Sequence, residues 1–177
     1  MCVKALMIID LQNDFAKPGG ALYFNGAERV IEPILELVKK FKDEGLPIIY
    51  TRDYHQENDY EFKIWGTHCV GGTYGSEIVD ELKEALNGYK KVYEIKKTRY
   101  SAFYGTNLEE VLRELGVTEV HVSGLVTHIC VLFTVEELRN RGIETVVHVK
   151  AVDSFDKSMH EFALKEMKDV LLAKLEE

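Results

Sequence analysis

The chain of 177 residues is 46% hydrophobic and 29% charged, with a formal net charge of -8. A chain of this length forms one core that buries about 70% of its unfolded surface, so a single domain over residues 1–177 is expected. Its Lys and Arg residues cluster no more densely than in the pairs Lys39/Lys40, Lys90/Lys91 and Lys96/Lys97, which speaks against nucleic acid as a partner, and the first apolar run is too short for a membrane span and lacks the basic start of a signal peptide.

In chain order, residues 3–9 form a Val- and Ile-rich run that predicts a strand ending on Asp10. Val30, Ile31, Ile34, Val38 and Phe41 follow at helical spacing, with Pro33 in the first turn or kinking it, and this helix stops at Gly45. Residues 47–51 predict a second strand, followed by Asp53 and His55. A helix is expected over residues 76–86, where Ser76 could cap it, then a third strand over 91–95 followed by Lys97. Residues 107–115 read as a helix ended by Gly116, 117–122 as a fourth strand, 129–141 as a helix ended by Gly142, and 143–149 as a fifth strand. The last stretch, MHEFALKEMKDVLLAKLEE, reads either as one helix to the end or as a helix to about Lys168 followed by an edge strand, VLLAKL.

Alternation of strands and helices along the whole chain argues for an α/β fold: three layers, α/β/α, around a doubly wound parallel sheet of five or six strands. In such sheets ligands bind beyond the carboxyl ends of the strands. Four consecutive strands here carry reactive side chains to that rim: Asp10, then Asp53 with His55, then Lys97, then GLVTHIC with Cys130.

A lone cysteine is more often buried structure than nucleophile, but a thiol at a strand-to-helix turn meets the positive end of the helix, which favours the thiolate. Cys130, Asp10 and Lys97 converging on one rim would form a nucleophile with an acid/base pair, although each alone has a bland reading as a core thiol, a loop cap or a solvated amine. Asp53 and His55 are two residues apart on an extended backbone and point to one side, and His68 follows on a loop long enough to fold back. One carboxylate and two imidazoles suit a divalent ion, Zn first and Fe or Mn next, although surface Asp and His are an equally good reading of the spacing alone. Cys69 is a poorer ligand because it adjoins His68. His121 and His148 alternate within strands, His160 lies on a polar helix face, and none of the three is given a role; nor is His128, which stands two residues before Cys130. Three cysteines without paired spacing exclude a disulfide framework. Charge supplied mainly by Lys and Glu leans toward thermophile usage.

LMIIDLQNDF, TRDYH, WGTHCVGGTYGSE, KTRYSAFYGTNL and SGLVTHICV occur in this order. In these five segments the chain resembles the isochorismatase-like cysteine hydrolases, and among them the nicotinamidase/pyrazinamidase branch, although Tyr54 stands where nicotinamidases usually carry tryptophan. The resemblance implies a Cys130, Asp10 and Lys97 triad and a cis peptide between Leu125 and Val126. It also implies an oxyanion hole from the backbone N–H groups of Val126 and Cys130, and a pocket walled by Phe15, Trp65 and Tyr100. The metal set it implies is Asp53, His55 and His68, with the ion orienting a pyridine amide. The expected protein is a cytoplasmic, homo-oligomeric, metal-dependent amidase that converts a small-molecule amide, nicotinamide or pyrazinamide, to the acid and ammonia through a thioester. Hydrolysis of an N-carbamoyl or ureido amide, or of an isochorismatase-type vinyl ether, is the alternative within the superfamily. Outside it stands a non-catalytic metal-binding or redox protein using Cys130 and Cys69.

Overall fold

Five of the six strands begin within two residues of the expected positions, and the sixth decides the C-terminus. The structure, a computed structural model, describes residues 2–177. Its strands are β1 (Lys4–Ile9), β2 (Ile48–Asp53), β3 (Val92–Lys97), β4 (Glu119–Leu125), β5 (Glu144–Asp153) and β6 (Lys174–Glu176). All pair in parallel, in the order β3-β2-β1-β4-β5-β6. The helices are α1 (Asn13–Ala16), α2 (Ile31–Asp43), α3 (Phe62–Trp65), α4 (Asp80–Leu86), α5 (Leu108–Glu114), α6 (Leu132–Asn140) and α7 (Lys157–Asp169). This is the doubly wound, three-layer α/β/α fold expected, with six strands.

Side-chain alternation divides the core between the two faces of the sheet. Leu6, Ile8 and Ile48 pack with Ile34, Val38 and Phe41 of α2 and Leu82 of α4. Met7, Ile9, Ile49 and Ile95 pack with Leu108 and Leu112 of α5, Val135 and Leu138 of α6, and Ala163 and Met167 of α7. Each such buried aliphatic or aromatic side chain contributes about 1.5–3 kcal/mol. Strand order reverses between β1 and β4, the place where ligands settle in sheets of this kind. Among the described residues no helix is long and apolar enough to cross a membrane.

Strands β2 to β5 extend past their expected ends, and in β2 and β3 this is because the polar residues there are paired rather than solvated. Arg52 of β2, for example, bonds Glu94 of β3 at 2.7 Å, and Lys97 closes the same strand pair on Asp53. β5 gains residues 150–153 through a register shift: after Val122 the ladder resumes with Gly124 opposite Val152. Gly124 has φ +110°, and a Cβ there would lie 2.0 Å from the carbonyl oxygen of Ile9, so only glycine lets β4 approach β1 at this rung.

Ser76 does not cap a helix. It ends a short 3₁₀ turn, Tyr74–Ser76, its hydroxyl donates to the Thr73 carbonyl, and α4 begins only at Asp80 without a side-chain cap. At the C-terminus the helix-then-edge-strand alternative is the one that forms. The strand is shorter than VLLAKL and begins at Lys174, since residues 170–173 are taken up in leaving α7.

Candidate active site

Asp10 begins the site. The chain turns out of β1 at this residue with φ 50°, which aims its carboxylate across the ends of β2 and β3. Thr51 of β2 donates its hydroxyl to Asp10 Oδ1 at 2.5 Å and accepts the Asp10 backbone N–H at 3.1 Å. Lys97 Nζ forms an ion pair with Asp10 Oδ2 at 2.7 Å, donates to Asp53 Oδ1 at 2.5 Å and to the Arg99 carbonyl at 3.0 Å, and lies 3.5 Å from Cys130 Sγ. Asp10, Lys97 and Cys130 are thus brought together as expected, with Asp10 and Lys97 fully buried behind the thiol.

Cys130 does not sit at the mouth of a regular helix. It lies in a wide π-type turn, Thr127–Val131, that precedes α6. Burial pushes its thiol well above the usual range; the Lys97 ammonium opposes this, and the carboxylates of Asp10 and Asp53 add to it. Burial thus works against the thiolate that a helix end was expected to favour, and the Lys97 ammonium works for it. Burial likewise raises Asp10 to about 6, against the lowering pull of Lys97 and with a further push from Asp53. Burial acts to lower Lys97, but the two carboxylates outweigh it and hold the ammonium well above its ordinary value.

The peptide bond between Leu125 and Val126 is cis. Val126 and Cys130 face a cavity of about 290 Å³ that is also lined by Phe15, Trp65 and Tyr100. Trp65 is held by its indole N–H on the Tyr100 hydroxyl at 3.0 Å, and Phe15 meets the His68 ring edge-on. Phe24 and Phe155 complete the aromatic wall. His128 does not face the cavity; its Nδ1 bonds the Ser154 hydroxyl at 2.7 Å.

Asp53, His55 and His68 meet on one side of this cavity, joined by a fourth residue, Glu61, and one ligand atom from each lies within 4.8 Å of the others. Sequence reasoning missed Glu61; the acidic run between His55 and His68 was the available signal. Two further observations fit a cation. His55 Nδ1 bonds Asp59 at 3.0 Å and His68 Nδ1 donates to the Gly66 carbonyl at 2.8 Å, so both rings turn Nε2 toward the cluster. His55 Nε2 is moreover buried without a hydrogen-bond partner. Arg99 holds Asp59 at 2.9 Å. Burial would raise Asp53, but Lys97 and His55 overcome it and keep this carboxylate down at about 2. Cys69 takes no place in the set: it is fully buried, and its backbone N–H donates to Asp14 at 2.7 Å.

An isochorismatase domain model matches residues 4–175. The chain belongs to the isochorismatase family. Among solved structures it is similar to nicotinamidase/pyrazinamidase PncA from Bacillus subtilis, with 38% identity, TM-score 0.93, and 99% of this chain and 100% of that one covered. It is also similar to the pyrazinamidase of Pyrococcus horikoshii in complex with zinc, at 34% identity and TM-score 0.89 over 98% of each chain. A third likeness is to N-carbamoylsarcosine amidase from Thermoplasma acidophilum, at 31% identity and TM-score 0.86 over 98% of this chain and 95% of that one. These relatives make the chain an amidohydrolase, the enzyme class expected from the sequence.

Proposed function

We propose that this protein hydrolyses the amide of a small heteroaromatic amide, nicotinamide or pyrazinamide, to the acid and ammonia, with Cys130 as nucleophile. The observation that carries this reading is that one aromatic-walled cavity touches both Cys130, backed by Asp10 and Lys97, and the cluster formed by Asp53, Glu61 and His68. The relatives' activities support it. Asp53, His55, Glu61 and His68 would hold a divalent ion of the zinc type, which when bound supplies a Lewis-acid anchor for a ring nitrogen.

The reaction runs in two halves on this chain's own residues. Asp10 takes the Cys130 proton as the sulfur attacks the carbonyl carbon, and the backbone N–H groups of Val126 and Cys130 receive the developing oxyanion, each worth about 3–4 kcal/mol. The proton on Asp10 passes to the departing nitrogen, and ammonia leaves behind a thioester on Cys130. Water, deprotonated by the same carboxylate, then releases the acid and returns the thiol. Lys97 steadies negative charge on Asp10 and sulfur throughout. Trp65 and Phe15 hold the ring so that the carbonyl faces Cys130 rather than solvent.

Ammonia release from nicotinamide, pyrazinamide and an N-carbamoyl amino acid, each with and without chelator, tests this reading. Turnover of a pyridine or pyrazine amide that chelator abolishes is expected. Turnover of the carbamoyl compound alone would instead assign the cavity to the second reading, which the likeness to N-carbamoylsarcosine amidase supports.

A further inference from the structure

A second cluster of metal-ligating side chains lies in the other half of the sheet. His121 on β4, His148 on β5 and Glu176 on β6 offer one ligand atom each, all within 4.8 Å of one another. Three adjacent strands supply them, His148 directly opposite Glu176 in the β5–β6 ladder. His121 pairs with Leu6 of β1, four residues short of Asp10, roughly 13 Å along the strand from the cysteine site.

His121 Nδ1 and His148 Nε2 face each other at 2.8 Å, with the two rings side by side and only 27° from coplanar. Both imidazoles are buried, and Phe41 of α2 closes over His121 with ring centroids 5.2 Å apart. His121 Nε2 lies 2.9 Å from Glu119 Oε1, and Glu119 is itself paired with Lys4 at 3.0 Å. That carboxylate holds the ring hydrogen on Nε2 and leaves the Nδ1 lone pair directed at His148, the outer-shell arrangement that orients metal-binding imidazoles.

We infer that His121, His148 and Glu176 form a second divalent-metal site, of zinc type, that ties the short edge strand β6 to β5 and β4. Two nitrogen ligands on a tetrahedral zinc stand roughly 3.3 Å apart, given Zn–N bonds of about 2.0–2.1 Å, so the pair need open only slightly. In the metal-free arrangement one ring hydrogen lies between the two nitrogens. Binding moves the hydrogen of His148 from Nε2 to Nδ1 and leaves two lone pairs for the ion, with the Glu176 carboxylate supplying the negative ligand.

The test counts metal by equilibrium dialysis against Zn²⁺ and elemental analysis in full-length chains. His55→Asn, which disables the other cluster, should retain one equivalent. His55→Asn/His121→Asn and His55→Asn/His148→Asn should retain none. In single variants His121→Asn and His148→Asn, the equivalent kept at the cysteine-side cluster reports that the chain is folded. Zinc should also raise the melting temperature of His55→Asn but not of the two double variants. A His55→Asn chain that retains no zinc, or double variants that still retain one equivalent, would overturn the inference; so would loss of that equivalent on Cys2→Ser, since Cys2 Sγ lies 4.0 Å from Glu119.

Discussion

Lys97 and Asp53 are joined by a hydrogen bond of 2.5 Å, so the lysine that pairs with Asp10, the proposed base, is also bonded to a member of the Asp53, His55, Glu61 and His68 cluster. A positive charge so placed stabilises Asp10 and the sulfur and repels a divalent ion. Lys97→Met should therefore lower kcat by at least about 100-fold, since the preorganised charge that stabilises the Asp10 carboxylate and the sulfur is lost. It should also tighten zinc binding at the Asp53 cluster by about tenfold or more. Weaker zinc binding in this variant, measured by competition with a chelating dye, would contradict the opposition described here.

In the proposed mechanism Asp10 sets the acid limb of the pH profile. It must be ionised to take the thiol proton, and it is ionised above about 6 and neutral below. The logarithm of kcat/KM should therefore fall with unit slope, about tenfold per pH unit, below that inflection. Asp10→Asn should remove the inflection and about 10²–10⁴ of the rate. A profile that stays level from pH 7 to 5 in the native chain would exclude Asp10 as the base.

Asp59 touches neither the cavity nor the cluster centre, yet it holds His55 by Nδ1 at 3.0 Å. Loss of such an outer partner weakens metal retention by about 10–100-fold. Asp59→Ala should accordingly show that loss in zinc dialysis, while activity returns when zinc is supplied in excess. Activity that excess zinc does not restore would mean that Asp59 serves some other purpose.

Gly124 admits no side chain without moving β1 or β4. Gly124→Ala combines a positive φ with a clash against backbone, and it should destabilise the fold by about 3 kcal/mol or more. Chemical denaturation reads this directly. A cost below about 1 kcal/mol, or the slight gain that alanine brings at an unstrained glycine position, would show that the rung can relax.

The parallel sheet and its layer count were legible because the apolar runs are short, rich in Val and Ile, and separated by stripes of helical period, whereas the order of the strands was not. The convergence of Asp10, Lys97 and Cys130 was legible because parallel strands carry their ends to one rim. What the sequence did not reveal depends on pairing across the fold. Thr51 reads as an ordinary strand residue until it is seen on Asp10. Glu61 and Asp59 read as solvated acids until the loop folds over His55. His121 and His148 are 27 residues apart, and only the strand order places their rings edge to edge. The strand-to-helix turn at Cys130 was legible, but its π-type geometry and the burial of the thiol were not, because burial is a property of the whole fold.

Gln12 has a consequence for the site as a whole. Its amide gives a hydrogen to the Asp53 carbonyl and takes one from the Asp53 N–H, each at 2.8 Å, as a neighbouring strand would. Past Ile9 the chain turns away at Asp10, and this side chain continues the ladder to β2 in its place. Asp10, bonded to Thr51, and Asp53, bonded to Gln12, are therefore each tied across the β1–β2 edge. Their separation is set by the backbone of two adjacent strands and by short hydrogen bonds, not by the loops around them.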